Sequence, residues 1–232
     1  TLDVGRMKVV ALSEALSRIA APSSRIVPVA HSIDSLRGLV EAKQRDLLVS
    51  CVDDDAARLA ASIIATLYAR PLLDVGTGVF GRGARRRKGA DIRLVVPGDR
   101  CLLCLGGLAD VETARVAVAG RASIDSTRPW YLGRAGSLRS LNQVAAHCGL
   151  GLVEDLVAEI RSASAWLRLE FDTAGMPSFV EVRPPRVAEC RLCAHAGRGD
   201  DALGEIRALL AVPGLGTPRN PIGPGCSFRS GR

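Results

Sequence analysis

Two pairs of closely spaced cysteines constrain the fold of this chain more than any other feature of its sequence. Each pair has the pattern Cys-x-x-Cys, with Cys101 and Cys104 in the first pair and Cys190 and Cys193 in the second. A turn of this kind presents two thiolates to one ion, and two such turns complete a closed, tetrahedral Zn²⁺ site. Because 85 residues (105–189) separate the pairs, a shared ion requires distant parts of the chain to meet in space.

The predicted role of this zinc is structural, because four thiolates leave no position on the ion for water. The alternative, a redox-active pair, is disfavoured because no thioredoxin-like helix pattern begins at either pair. Seven cysteines and no evident signal peptide argue against a disulfide framework and favour a reducing, cytoplasmic location. Cys51 and Cys148 lie in apolar patterns and are predicted to be core residues. His195 is predicted to be solvated rather than a metal ligand.

The composition limits the class of protein. Of the 232 residues, 47% are hydrophobic but only 3% are aromatic, so aliphatic side chains must fill the core. The net charge of +7 is compatible with an acidic partner or with nucleic acid, and it does not determine the fold. No run of about 18 apolar residues, the length needed to span a membrane, is present. The chain begins with Thr1 and its first methionine is Met7, so we expect the natural N-terminus to be missing.

The segment 46–58 (DLLVSCVDDDAAR) reads as a strand, an acidic turn and a helix. The apolar run 47–52 is typical of a strand buried on both faces of a parallel sheet. Three aspartates follow at 53–55, and helical periodicity then extends over 57–67. Open α/β sheets bind ligands at the carboxyl ends of parallel strands, whereas aspartate is also a common helix N-cap. On spacing alone, the cap is the favoured interpretation.

The remaining pattern alternates helices and strands. Before residue 80 the periodicity predicts helices over 6–20 and 33–40 and strands over 25–30 and 71–80, and this order implies a mostly parallel sheet with right-handed crossovers. The second half is predicted to contain a strand (91–97), a helix (111–119), a loop (120–136), a long helix (137–160), a hairpin (166–171 with 178–182) and a short helix (203–211). The glycines of the long helix, Gly149 and Gly151, are expected to permit a bend or a close helix contact. We predict one domain over 1–202, followed at 203–232 by the short helix and a disordered tail rich in proline and glycine.

Together these motifs resemble the ThiF/MoeB/HesA adenylyltransferases, the ubiquitin-activating type of enzyme. Residues 5–8 (GRMK), followed by a helix, are similar to the GxxK segment of that family. Residues 46–58 are similar to its D-[apolar]-D-C-T-D-N-x-x-x-R signature, and 71–78 (PLLDVGTG) to the strand after that helix. The two cysteine pairs match the zinc pairs of the family. The resemblance covers roughly residues 3–200.

The resemblance implies an α/β, Rossmann-like fold whose C-terminal part, with antiparallel strands, is held by zinc. It also implies ATP-dependent adenylation of the C-terminal carboxylate of a small ubiquitin-like or sulfur-carrier protein, with loss of pyrophosphate, by a homodimer. Asp53 would hold Mg²⁺, Lys8 would neutralise phosphate charge, and Asp54 would lie beside them at the nucleotide. Arg58 would brace the aspartate turn rather than touch the substrate. No cysteine is evident as a thioester nucleophile, so adenylation without thioester transfer is expected.

Several departures from the family pattern keep other functions open. The glycine-rich GxGGxG loop, the ribose-binding acid and the Asn/Arg phosphate contacts would precede Gly5 and are absent, so the chain as given is expected to bind ATP poorly. Asp54 stands where the family usually has asparagine. One alternative is a non-catalytic, zinc-containing scaffold that keeps a partner surface. A dinucleotide oxidoreductase would need the same absent loop. A nucleic-acid binder using the basic run 82–88 ranks last, because no aromatic stacking residues lie beside that run.

Overall fold

Strands and helices follow one another along the chain and build an α/β fold. A computed structural model describes residues 3–80, 87–120, 138–172 and 174–215. Within these ranges the helices are α1 (Lys8–Ser17), α2 (Leu36–Lys43), α3 (Asp55–Leu67), α4 (Val111–Val118), α5 (Arg139–Val157) and α6 (Leu203–Ala211). The strands are β1 (Leu48–Ser50), β2 (Leu72–Phe80), β3 (Arg87–Val95), β4 (Ala165–Phe171) and β5 (Pro177–Glu181). Apart from the segment 25–30, the predicted elements within these ranges are confirmed to within a few residues.

The five strands form one mixed sheet in the order β1-β2-β3-β4-β5. β1 and β2 are parallel and, with α3 between them, form one βαβ unit, whereas the other three neighbouring pairs are antiparallel. The prediction of a mostly parallel sheet is therefore wrong. The reason lies in the connection from β2 to β3, which has only six residues (81–86), while a parallel pair needs a crossover of about a dozen. The predicted hairpin of β4 and β5 is confirmed, and it belongs to this same sheet.

Two further strand predictions are wrong. β1 is not buried on both faces, since Leu48 and Ser50 are buried while Val49 is 58% exposed. Residues 25–30 form no strand. Pro28 cannot donate to a ladder, and Val27 is 48% exposed, so this segment lacks both the neighbour and the burial that a strand needs.

The sheet carries a hydrophobic core on each face. On one face α5 packs over β2, β3 and β4, where Leu73 and Ile92 meet Leu141 and Leu152. A β-carbon added to Gly149 would lie 3.1 Å from a methyl group of Leu73, so the close contact at this glycine is with a strand, β2, and not with another helix. α5 and β2 therefore approach more closely than a larger side chain would allow.

The other core joins α3 to the rest of the chain. Leu59 and Leu67 of α3 pack against Leu72 of β2 and against the residues around both cysteine pairs. Three residues of α6 are buried in the same cluster: Ile206, Leu209 and Leu210. The division proposed at residue 202 stays a prediction, and the predicted loop at 121–136 and the tail from 216 lie outside the described residues. Over the ranges given above, no helix combines the length and the apolar character that crossing a membrane requires.

Candidate metal centre and acidic turn

The four cysteines of the two pairs converge on one point. The Sγ atoms of Cys101 and Cys104 are 3.7 Å apart, and they lie 3.6 Å and 3.7 Å from those of Cys190 and Cys193 respectively. All four sulfur atoms lie within 4.8 Å of one another. A tetrahedral Zn²⁺ with Zn–S bonds of about 2.3 Å places its sulfurs about 3.8 Å apart. The predicted convergence is confirmed, and the cluster could hold a metal such as zinc.

Local backbone hydrogen bonds direct each pair of sulfurs to the same side. In the first turn the amide of Leu105 donates to the carbonyl of Cys101 (3.2 Å), and in the second the amide of Ala194 donates to that of Cys190 (3.1 Å). Leu102, inside the first pair, is fully buried and anchors its turn in the core. The helix-like turns thus present two sulfurs each, while the core fixes the turns against one another.

The electrostatics of the cluster favour a bound cation. A hydrogen bond from Cys101, with others from Cys104 and Cys193, holds the pKa of Cys190 well below its ordinary value. The hydrogen bonds of Cys101 with Cys104 and Cys190, together with its burial, raise the pKa of Cys101. Four adjacent sulfurs cannot all ionise unless a positive charge lies among them. A metal ion would supply that charge, and the closed set of four ligands fits a structural role.

The remaining cysteines and His195 differ in part from expectation. The prediction that Cys51 lies in the core is wrong, because this residue follows the edge strand β1 and is exposed. Cys148 packs against the core beneath α5, as predicted. The His195 side chain is only 15% exposed, and its Nδ1 lies 3.2 Å from a carboxylate oxygen of Glu205. It is therefore paired rather than solvated, and it is not a member of the sulfur cluster.

The three aspartates of the acidic turn occupy three different settings. Asp54 is the N-cap of α3, where its carboxylate accepts from the amide of Ala57 (3.0 Å), so the cap interpretation is confirmed for this residue. Asp55 accepts two backbone hydrogen bonds through Oδ2, from Ala109 (2.8 Å) and Asp110 (3.0 Å). Asp53 is exposed at the carboxyl end of β1. The roles of Asp53 and Asp54 at a nucleotide stay predictions.

Arg58 braces this turn, as predicted. Its Nη2 donates to the carbonyl of Val52 (2.7 Å), and its Nη1 lies 3.5 Å from Asp55. Its Nε donates to the buried carboxylate of Asp74 on β2 (3.2 Å). A β-carbon at Gly76 would approach Nη2 of Arg58 to 3.0 Å, so the missing side chain on β2 leaves room for the guanidinium.

A buried row of charges across the sheet was missed in the sequence. Asp74 is fully buried, and its Oδ2 lies 3.6 Å from Nη1 of Arg93, its register partner on β3. Nη2 of Arg93 lies 3.1 Å from Asp91, whose other oxygen accepts from Nε of Arg168 (2.9 Å) and from the indole of Trp166 (2.7 Å). We call Arg58, Asp74, Arg93, Asp91 and Arg168 the ion ladder. Burial raises the pKa of Asp74 and lowers that of Arg93, while the ion pairs act in the opposite direction for both.

Part of the ion ladder is visible in the sequence of β3, where charged and apolar residues alternate. Asp91 and Arg93 stand two apart between apolar residues, which places both on one face of a strand. Their partners depend on strand order and register, and the local pattern does not contain that information. The paired charges therefore could be suspected on β3 but not connected to Asp74 or Arg168.

Among the described residues, no contact joins Lys8 to the other predicted site residues. This lysine begins α1, in which none of the ten residues is buried. Within the described part of the chain, the Lys8 ammonium makes no hydrogen bond or ion pair. Its predicted role toward phosphate therefore stays a prediction.

The fold and the site together define an α/β protein with a mixed five-stranded sheet and a four-cysteine cluster able to hold a metal such as zinc. Comparisons with models of protein families and with curated proteins find no match to this chain.

Proposed function

We propose that the chain forms part of an ATP-dependent adenylyltransferase that activates the C-terminal carboxylate of a small ubiquitin-like or sulfur-carrier protein. The observation that carries this proposal is the acidic turn, where Asp53 is exposed at the carboxyl end of β1 and Arg58 fixes the backbone beneath it. β1, α3 and β2 form a parallel βαβ unit, and ligands of such units bind at this end of the strands. The unit is the basis for describing the fold as Rossmann-like.

In the proposed reaction, a carboxylate oxygen of the carrier attacks the α-phosphorus of ATP and forms an acyl-adenylate. The bond from that phosphorus to the bridging oxygen breaks, and pyrophosphate leaves with the electron pair. Asp53 would hold Mg²⁺, which neutralises charge on the triphosphate, and Lys8 would add a second positive charge. Asp54 and Arg58 would keep the turn in place, the first as the cap of α3 and the second through the carbonyl of Val52.

The cysteine cluster would serve this reaction only as a structural element. Zn²⁺ would join the turn of Cys101 and Cys104 to that of Cys190 and Cys193, and it would not touch the nucleotide. A homodimer and a cytoplasmic location form part of the same proposal.

Pyrophosphate exchange into ATP tests the proposal on the full gene product, with Mg²⁺ and a panel of small carrier proteins. We expect carrier-dependent exchange that falls by at least about 100-fold in Asp53→Asn, because the variant would lose the carboxylate that holds Mg²⁺ beside the triphosphate. Asp46→Asn is the matched control. It removes the same charge at the opposite end of β1, where Asp46 lies exposed, 3.8 Å from Arg70, and exchange should be unchanged. Equal exchange in wild type and Asp53→Asn contradicts the proposal.

A non-catalytic scaffold is the second candidate function. The observation that favours it is the position of Lys8 on a helix without buried residues, where its ammonium has no described partner. A scaffold would bind a carrier protein while supporting no exchange at any ATP concentration. Carrier binding measured by calorimetry, together with the exchange assay, separates the two functions.

A further inference from the structure

The loop that follows the first cysteine pair, residues 105–110, contacts the acidic turn directly. The amides of Ala109 and Asp110 both donate to the Asp55 carboxylate, at 2.8 Å and 3.0 Å. Hydrogen bonds to an ionised acceptor are stronger than those between neutral groups. The Asp55 side chain therefore ties the end of the loop to the first turn of α3.

The start of the same loop is held by the ion ladder. Nε and Nη2 of Arg93 donate to the carbonyls of Leu105 and Gly106, each at 3.2 Å. Both carbonyls belong to residues directly after Cys104. The guanidinium of Arg93 also stacks on Trp166, with its central carbon 4.4 Å from the ring centre. The guanidinium of Arg93 thus donates hydrogen bonds to the loop and stacks on the Trp166 ring at the same time.

The ion ladder continues from Arg93 to the acidic turn. Asp74 lies between two guanidinium groups, 3.6 Å from that of Arg93 and 3.2 Å from that of Arg58. Arg58 then donates to the carbonyl of Val52, next to Asp53. Since Asp74 is fully buried and Arg93 is 6% exposed, neither can exchange a lost partner for water. A displacement of one member therefore disturbs its neighbours.

We propose that the metal at the cysteine cluster fixes the geometry of the acidic turn, with Asp55 and Arg93 as the positioning residues that transmit the effect. Metal binding holds Cys101 and Cys104, which holds the loop 105–110 against both residues. The relation is reciprocal, so loosening the turn weakens metal binding by the same factor. The inference extends the proposed function, because the turn is the proposed Mg²⁺ site, but its contacts exist whether or not the protein adenylates anything.

Hydrogen exchange in the zinc-loaded and the chelator-stripped protein tests the coupling. After zinc removal we expect the amides of Ala57, Arg58, Ala109 and Asp110 to exchange at least about 10-fold faster, within the range of ordinary coupling between sites. The amides at the centre of α5 should change by less than about 2-fold. Exchange that stays unchanged in the turn overturns the proposal. So does an equal acceleration in α5, because that would show general unfolding instead of a specific connection.

The variant Asp55→Ala breaks the link between the loop 105–110 and the acidic turn while leaving all four cysteines in place. The variant removes the connection through Asp55 and leaves the one through Arg93. Zinc removal should therefore accelerate hydrogen exchange at the amides of Ala57 and Arg58 by at most about a third of the wild-type factor. By reciprocity, the variant should bind zinc about 3- to 10-fold more weakly, measured by competition with a chromogenic chelator at equilibrium. Asp46→Ala, which removes an exposed acid outside the connection, should match wild type in both measurements. If Asp55→Ala binds zinc with the wild-type affinity, the proposal fails.

The two proposals fail independently. Hydrogen exchange and zinc affinity can both be measured without ATP or a carrier protein, so an absence of pyrophosphate exchange leaves the coupling intact. Conversely, an acidic turn whose hydrogen exchange does not depend on zinc could still support adenylation. If Asp55→Ala does not fold, the comparison of loaded and stripped wild-type protein remains decisive.

Discussion

Tyr68, at the end of α3, shows how one side chain joins three distant parts of the chain. Its hydroxyl donates to the carboxylate of Asp200, in the segment that follows the second cysteine pair. The same carboxylate lies 2.9 Å from the ammonium of Lys43 at the end of α2. Gly199 has a positive φ of +56°, and a β-carbon there would lie 3.7 Å from the Tyr68 ring. The contact therefore brings the C-terminal segment against α2 and α3.

Burial, followed by the hydrogen bond to Asp200, raises the pKa of Tyr68 to about 12. The pKa of an unfolded tyrosine is about 10. The stabilisation from the neutral hydroxyl is therefore complete below about pH 10, declines between pH 10 and 12, and is lost above that range. The chain has two tyrosines, so Tyr131→Phe leaves Tyr68 as the only tyrosinate chromophore. An ultraviolet titration of this variant should place the transition near pH 12.

Asp200→Asn in the same background is the control for this titration. It should lower the pKa of Tyr68 only part of the way toward 10, since burial, the larger cause, remains. A transition near pH 10 before Asp200 is changed would show that the hydroxyl is neither buried nor paired in solution.

At the scale of elements, α5 contains two glycines in different surroundings. A β-carbon at Gly149 would meet side-chain carbons of Leu73 and Val75 at 3.1 to 3.3 Å, whereas one at Gly151 would meet nothing within 4 Å. Both positions lie inside the helix. The intrinsic preference of a helix for alanine is therefore the same at both, and only the contact with β2 differs.

This difference predicts opposite outcomes for two equivalent substitutions. Gly151→Ala should raise the free energy of unfolding by about 0.5–1 kcal/mol through helix propensity alone. Gly149→Ala should fall short of that gain by about 1 kcal/mol or more, because the methyl group displaces Leu73 or moves α5 away from β2. Urea unfolding of the two variants checks the difference. Equal gains would mean that α5 does not approach β2 as closely as described.

Helices and strands defined by local periodicity could be predicted from the sequence, but which strands pair with one another could not. α3 and α5 follow from a regular apolar face and the Asp54 cap from its place before that face, whereas the bracing role of Arg58 is what the family resemblance implies. The antiparallel order of β2 and β3 sets the pairing of Asp74 with Arg93. That pairing joins residues 19 positions apart (93 − 74), so neither strand alone contains it. The segment 25–30 has strand-like residues but no neighbour, which is a property of the fold and not of the segment.

For the molecule as a whole, the cysteine cluster is a long-range contact that joins two distant parts of the chain. It joins residues 89 positions apart and lies in the larger core, which contains α3, α4 and α6. The convergence could be predicted because two equally spaced pairs need one ion, whereas the way in which the loop 105–110 reaches the acidic turn could not.

Metal analysis tests the cluster directly. We expect one zinc per chain in wild type, and the same in Cys51→Ser, since that cysteine is exposed and outside the cluster. Cys190→Ser should lose most of the metal and unfold about 10 °C lower, as expected when a few kcal/mol of metal-linked stability is removed from a domain of this size. Elemental analysis and thermal unfolding measure the two effects. A metal-free wild type that is as stable as the loaded protein would contradict them.

The distance between the two cysteine pairs also has a consequence during synthesis. At about 5–20 residues per second, the ribosome delivers the second pair roughly 5–20 s after the first. Throughout that interval the nascent chain exposes two thiols with no means of completing their ion site. A chain that ends anywhere before Cys193 lacks at least one of the four sulfurs and cannot form the cluster.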